Sequence, residues 1–116
     1  MPLTVINGPV IAAGESLSDG VDLAAGQLVR ITAPREWAGA NISFQISSDG
    51  AGYNDLYTAR GDEVVIPCGA GRAIIIDEKW WKAIAFLKIR SGTSEAPDPQ
   101  TDRQEFAVAV WSEQSA

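Results

Sequence analysis

Hydrophobic and polar residues alternate most regularly in the segment Asn41–Ser48. Its apolar residues are Ile42, Phe44 and Ile46, and amide or hydroxyl side chains lie between them. Because successive side chains of a strand point to opposite faces, the alternation predicts a β-strand with one buried apolar row and one polar row facing water. Trp37 precedes this strand in a short turn and is predicted to close one end of the core.

Shorter extended segments are predicted on both sides of this strand. They are rich in Val, Ile and Leu and are bounded by Gly, Pro and Asp, as strands and turns usually are. They cover residues 3–6, 10–13, 21–23, 27–33, 53–59, 63–68, 72–77, 83–91 and 106–111. The first two, broken at Pro9, are predicted to be edge strands. Segments 63–68 and 72–77 are predicted to pair as a hairpin, because the loop Cys68–Gly71 has a suitable length.

The apolar strand predicted around Ile89 is buried on both faces, with Phe86 on one face and Leu87 on the other. Lys88 and Arg90 lie in the same segment. Their charges indicate that one face of this strand reaches solvent at its far end.

About eight short strands, turn signals roughly every 8–12 residues and no helical periodicity predict an all-β fold. The predicted architecture is a single domain over residues 1–116, an antiparallel two-sheet β-sandwich that is jelly-roll-like. A partly open barrel is the alternative. The residues predicted to form the core are Trp37, Ile42, Phe44, Ile46, Phe86, Phe106 and Val108.

Charge and composition restrict the partners. Nine basic and 15 acidic residues give a net charge of −6, whereas nucleic acid and anionic lipid both require clustered Lys and Arg. No apolar run is long enough to cross a membrane, and the N-terminus lacks the features of a signal peptide. The lone cysteine, Cys68, ends an apolar run and is interpreted as a small buried hydrophobic residue, consistent with a reducing cytoplasm.

The residues show no catalytic apparatus. Histidine is absent, and no motif links two of the carboxylates, so we predict no catalytic, cofactor-binding or metal-binding residues. The oxygen-bearing residues Asp49, Asn54 and Asp55 do not follow the every-second-position spacing of a calcium loop. The segment is interpreted as a turn in which Asp49 accepts hydrogen bonds from its own backbone.

Adjacent tryptophans at Trp80 and Trp81 are the candidate surface-binding residues. Neighbouring strand residues point to opposite sides, so one indole would face outward, where it could stack on a sugar or anchor a protein interface. The other interpretation is that both cover the open end of the sandwich, beside the lysines that flank them.

An ordered series of motifs resembles a known family. The motifs are Ala13–Ser18, Val21–Leu23, Pro34, Trp37 with Ala40, Ile42–Gln45 with Ser47 and Asp49-Gly50, Tyr53, Leu56-Tyr57, Leu87–Thr93, Pro97, Gln100 and Arg103. In this order they are similar to small β-sandwich proteins and domains of tailed bacteriophages and of the phage-like gene transfer agents of alphaproteobacteria. Residues 63–82 match least, and the tryptophan pair is not part of the pattern.

The resemblance implies a virion structural protein: a head spike, fibre, decoration or tail-accessory protein assembled in the host bacterial cytoplasm. It implies other virion proteins and identical copies as partners, and no catalytic residues. A carbohydrate-binding module that uses Trp80 and Trp81, with a host cell-surface glycan as ligand, is the alternative function. A small glycosidase or lyase is a third alternative, and only the sandwich fold class supports it.

Overall fold

The computed structural model describes residues 2–77 and 84–112, and within them there are eight β-strands and no helix. The strands are β1 (Leu3–Ile11), β2 (Val21–Asp22), β3 (Gln27–Thr32), β4 (Ile42–Ser47), β5 (Asn54–Asp55), β6 (Ala73–Ile75), β7 (Phe86–Ser91) and β8 (Gln104–Trp111). They form two four-stranded sheets. The first sheet has the order β1-β8-β3-β6 and the second has the order β2-β7-β4-β5.

The strand pairing is nested. β1 pairs with β8, β2 with β7, β3 with β6 and β4 with β5, all antiparallel. The pairs β3–β8 and β4–β7 then join these ribbons into the two sheets. This is the arrangement of one long hairpin rolled into a sandwich, which is the jelly roll. The prediction of an antiparallel, jelly-roll-like two-sheet sandwich is confirmed.

Alternating residues of both sheets meet in the core. Phe44 at the centre of β4 and Phe106 of β8 are its largest fully buried side chains. The other fully or almost fully buried members come from all along the chain: Ile11, Leu23, Leu28, Ile31, Ile42, Leu87, Ile89, Val108 and Val110. Ile46 is partly buried and packs against this cluster. Burying side chains of this size contributes about 1.5–3 kcal/mol each.

Trp37 closes one end of the core, as predicted. Its ring contacts Phe106 edge to face, with 5.1 Å between ring centroids, and it is only 4 % exposed. The indole Nε1 donates a hydrogen bond of 2.8 Å to the carbonyl oxygen of Ala40. A buried indole is stable here because its single donor is satisfied.

β1 is one strand rather than two. Its pairing with β8 continues from Leu3 to Ile11, with a register shift between Asn7 and Val10. The predicted break is therefore an irregularity inside a strand. β1 does lie at the edge of its sheet, as predicted, and this is where Pro9 can be accommodated.

The predicted hairpin between segments 63–68 and 72–77 is wrong. β6 pairs with β3 in the first sheet, whereas segment 63–68 bonds to β4 of the second sheet through a bridge between Ile66 and Ile42. The backbone of Ile66 exchanges two hydrogen bonds of 2.9 Å with that of Ile42. Both segments are rich in Val and Ile, and that composition does not specify which strand each of them joins.

Phe86 is not a core residue. Leu87 and Ile89 of β7 are fully buried in the core, so Phe86 and Lys88 point to the opposite, outer face of the second sheet. Phe86 is half-buried there. The sequence could not show which apolar row of β7 faces inward, because both faces carry apolar residues.

Arg90 and part of the polar row of β4 are buried, although they were predicted to face water. Arg90 is 6 % exposed, Ser47 is 5 % exposed and Ser43 is inaccessible. These side chains do point away from the core, but other segments cover them. Ser47 accepts hydrogen bonds from the backbone N–H groups of Asp49 and Gly50, and Arg90 lies within a polar network.

Candidate functional site

The predicted surface-binding residues Trp80 and Trp81 lie outside the residues that the structure describes. Three other features of the described surface are candidates for function. They are a polar network around Arg90, a depression on the outer face of the second sheet, and an apolar area on the outer face of the first.

The network around Arg90 of β7 joins β4 and β5 to the segments around Glu63 and Ser94. Its guanidinium forms ion pairs with Asp55 of β5 and with Glu63, the latter at 3.2 Å. It also donates a 3.2 Å hydrogen bond to the hydroxyl of Ser43. Glu63 in turn accepts a 3.0 Å hydrogen bond from the backbone N–H of Ser94. One buried cation thus fixes the positions of four chain segments.

The electrostatics of this network are those of a structural site. The hydrogen bond from Arg90 lowers the pKa of Asp55 below its ordinary value of 3.8, while partial burial opposes the shift. The carboxylate is therefore held ionised, as is usual for a paired acid. A general acid or base would need a pKa close to the working pH. We conclude that this network stabilises the fold.

The depression has a volume of about 480 Å³ and lies over β7. Its walls include the aromatic rings of Tyr53 and Phe86, together with Lys88, Asp19 and Asp22. The Lys88 ammonium stands 4.4 Å from the centroid of the Tyr53 ring, a favourable cation–π distance. Aromatic surface and groups of both charges therefore converge on one concave area.

One oxygen of each aspartate in the depression is held by the backbone. Asp19 Oδ1 accepts a 2.8 Å hydrogen bond from the Val10 N–H, and Asp22 Oδ1 accepts one of the same length from the Ala24 N–H. Among the described residues, neither second oxygen has a partner. These oxygens can accept hydrogen bonds from a hydroxyl-bearing ligand.

Burial raises the pKa of Tyr53, and the negative charges of Asp49 and Asp19 add to the shift. The phenol is therefore neutral at physiological pH and can donate a hydrogen bond. A Cβ at Gly20 would overlap the phenol oxygen, and a Cβ at Gly50 would lie 3.2 Å from the Phe86 ring. The two glycines thus leave room for the rings that form the walls.

The turn after β4 is a hydrogen-bonded turn, as predicted. Asp49 Oδ1 accepts hydrogen bonds from the N–H groups of Ala51 and Gly52, at 2.9 and 3.0 Å. These two bonds are the main reason that the pKa of Asp49 is lowered. Among residues 2–77 and 84–112, no group of three or more His, Cys, Asp or Glu could hold a metal ion.

The thiol of Cys68 is 5 % exposed and lies against the core. Burial raises its pKa to about 11, although the charge of Arg72 acts in the opposite direction. A thiol with this pKa is almost entirely protonated at neutral pH and is a poor nucleophile. Its position matches the interpretation of Cys68 as a small buried hydrophobic residue.

The outer face of the first sheet carries several exposed apolar side chains as well as polar ones, and we call it the apolar face. Because Val108 and Val110 of β8 point into the core, Ala109 and Trp111 point outward. Cross-strand pairing places Val5 opposite Ala109, and it places Ile75 on the same face through β3. Val5, Ile75 and Trp111 are 52 %, 69 % and 42 % exposed. They are three of the four large hydrophobic residues exposed in the described part of the chain.

Sequence reasoning missed both the depression and the apolar face. Their residues come from distant segments, and no single strand contains a pattern that indicates either surface. One signal was available: Trp111 follows Val110 in an alternating strand, and such an arrangement turns the indole outward if the valine is buried. No comparable signal connects Tyr53 with Lys88, because their contact depends on how the strands are arranged.

Comparisons of the chain with protein-family models, with curated proteins and with solved structures found no match. Within the described residues, no helix has the length and apolar character needed to cross a membrane.

Proposed function

We propose that this protein is a non-enzymatic structural component of a phage or gene-transfer-agent particle that acts through protein–protein contacts. The observation that carries the proposal is the apolar face. Exposed hydrophobic residues scattered singly over a surface are ordinary, whereas several on one flat face indicate an interaction site. Exposed tryptophan is also typical of interface anchors.

Two further observations support this proposal. The ordered motifs from Ala13 to Arg103 resemble virion β-sandwich proteins, and the jelly roll is a frequent architecture of capsid domains. Fold alone does not determine function, so these two observations support the virion role only together with the apolar face.

Incorporation into particles tests the proposal. The tagged chain is produced in the bacterium that carries the gene, and particles are induced and purified on a density gradient. We expect the chain to co-sediment with the particles and Ile75→Lys to reduce its incorporation by about tenfold or more, since a buried unpaired charge is costly at an interface. The control, Tyr57→Lys, alters the exposed large hydrophobic side chain that is not on the apolar face. Absence of the wild-type chain from purified particles would reject the proposal.

A second candidate function is glycan binding at the depression. The specific observation is the combination of two half-buried rings, Tyr53 and Phe86, with Lys88 and two aspartates whose second oxygens have no described partner. Sugars offer an apolar ring face and many hydroxyl groups, and such a site matches both.

A glycan array followed by calorimetry tests this candidate. We expect Tyr53→Ala to remove binding and Tyr57→Ala, an exposed tyrosine outside the depression, to preserve it. If instead Trp80→Ala and Trp81→Ala remove binding while Tyr53→Ala does not, the tryptophan pair is the site. An array without any bound glycan rejects both versions.

A further inference from the structure

The apolar face carries two charged residues among its described strand positions, and they have opposite signs. Arg30 of β3 pairs with Ala109 of β8 in the sheet, and Glu105 of β8 pairs with Val10 of β1. Four residues of β8 separate the row of Arg30 from the row of Glu105, which corresponds to about 13 Å along the strands. The two charges are therefore too far apart to pair within one copy of the chain.

Arg30 has an unusual environment for a surface cation. Its Nε is buried and has no hydrogen-bond partner among the described residues. Ala109, directly opposite in the sheet, is inaccessible although it points outward, so the larger side chains around it must cover it. A buried donor without a partner is unfavourable. Nε itself is shielded from solvent, so an acceptor from outside would reach the guanidinium through its other nitrogens, and Arg30 forms no ion pair among the described residues.

We infer that the occupant of the apolar face is a second copy of this chain, packed face to face about a two-fold axis that pairs Arg30 of each copy with Glu105 of the other. A two-fold interface uses the same area on both copies, so the area must be complementary to itself. The charges of this face meet this condition, because a single rotation that brings Arg30 of one copy to Glu105 of the other forms two identical ion pairs.

The position of the axis follows from the register. It must pass midway between Arg30 and Glu105, which places it between Thr32 and Ala107. These two residues are themselves cross-strand partners. Both side chains are small, so the two sheets can approach to about the 10 Å spacing usual for stacked sheets. Larger residues at the axis would hold the copies apart.

The net charge of −6 opposes the approach of two copies, but only weakly at this face. Glu105 is the one carboxylate among the described strand positions of this face. At physiological ionic strength, charges separated by more than about 8 Å are largely screened. The two pairs between Arg30 and Glu105 lie within the interface, so salt screens them less.

This inference rests on the proposed function insofar as it names the partner for the same interaction face. A charge-swap cycle tests it, with association of the purified full chain measured by sedimentation equilibrium. We expect a dimer for the wild type, and for Arg30→Glu and Glu105→Arg a dissociation constant raised by about tenfold or more, as for close charge pairs elsewhere. The double variant should regain most of the affinity. Glu105 is exposed and Arg30 is half-buried, so circular dichroism checks that each variant folds.

A matched pair of substitutions distinguishes the loss of this interface from a general effect of changing a surface residue. Ile75→Glu should weaken the dimer, because Ile75 is the cross-strand partner of Arg30 and the new carboxylate would lie close to Glu105 of the other copy, whereas Tyr57→Glu should leave it unchanged. A wild-type chain that remains monomeric at all concentrations, or a double variant that stays as weak as the single ones, would overturn the inference.

The inference and the proposed function can fail separately. A dimer that obeys the charge swap but never enters particles supports the second-copy interface and rejects the virion role. A monomer whose incorporation into particles requires Ile75 shows that another virion protein occupies the face, and the inference is then wrong although the virion role stands.

Discussion

The side chain of Phe44 is inaccessible at the centre of β4, and its inward direction was predicted from the alternation in Asn41–Ser48. Replacing it by alanine removes most of a large ring from a close-packed core. We expect Phe44→Ala to lower the free energy of unfolding by about 3–5 kcal/mol, the range for large-to-small aromatic substitutions. Urea denaturation measures the change.

The control for this substitution is Tyr57→Ala, which truncates an aromatic side chain that is 47 % exposed. It should cost less than about 1 kcal/mol, as surface changes usually do. Equal effects of the two substitutions would show that Phe44 does not have the central role in the core that its burial indicates.

Asp55 gives the protein an acid-sensitive contribution to stability. Its pKa in the folded protein lies below the ordinary 3.8, chiefly because Arg90 donates a hydrogen bond to it. The unfolded chain therefore binds a proton more readily. The stabilisation is fully present above the unfolded pKa and is lost as the pH falls through the lower, folded value.

We therefore expect Asp55→Asn to reduce stability at about pH 7 and to flatten the loss of stability below about pH 4. Urea denaturation at a series of pH values measures both effects. The control is Asp102→Asn, at an exposed position outside the network, which should leave the difference between neutral and acid stability unchanged. If Asp55→Asn has the same pH profile as the wild type, the ion pair with Arg90 makes no contribution.

At the scale of elements, the turn that ends β7 requires glycine. Gly92 has a φ of +87°, and a Cβ added there would lie 2.5 Å from the carbonyl oxygen of Ala96. Gly92 N–H also donates a 2.7 Å hydrogen bond to the carbonyl oxygen of Asn41. The close approach of two backbone segments thus joins the end of β7 to the start of β4.

Gly92→Ala should destabilise the protein by more than about 3 kcal/mol, because backbone strain and a backbone clash act together. Gly39→Ala is the matched control, since Gly39 has a φ of +90° and nothing within 4 Å of an added Cβ. It should show the strain alone, about 1–2 kcal/mol. Thermal and urea unfolding measure the stability of both variants. Equal stabilities would contradict this explanation.

At the scale of the whole molecule, the nested pairing joins the two ends of the chain. β1 pairs with β8 along most of its length, and Ile11 is inaccessible in the core. A sandwich built on such distant contacts cannot be completed until both ends are in place. Its stability should therefore be lost as a unit.

Deleting residues 1–11 should abolish cooperative unfolding, because β8 loses an edge partner and the core loses Ile11. Near-UV circular dichroism and the urea transition measure this loss. A synthetic peptide of residues 1–12 added to the truncated chain should restore part of the native signal. A truncated chain that keeps a cooperative transition would show that the other strands form a self-sufficient core.

The sequence by itself determined the local features of this protein. Alternation fixed the inward row of β4, and turn residues separated most of the strands. Asp49 could be assigned to its turn because its hydrogen bonds are to residues two and three positions away. These features depend on neighbours in the chain, and the periodicity of the sequence records such neighbours directly.

Only the tertiary structure decided which strands meet and which surfaces result. It assigned β6 to the first sheet, turned Phe86 outward and buried Arg90 among acids far away in the chain. It also gathered Val5, Ile75 and Trp111 on one face. The physical reason is that Val- and Ile-rich segments can pair with many strands, and the choice among them depends on how the complete core packs.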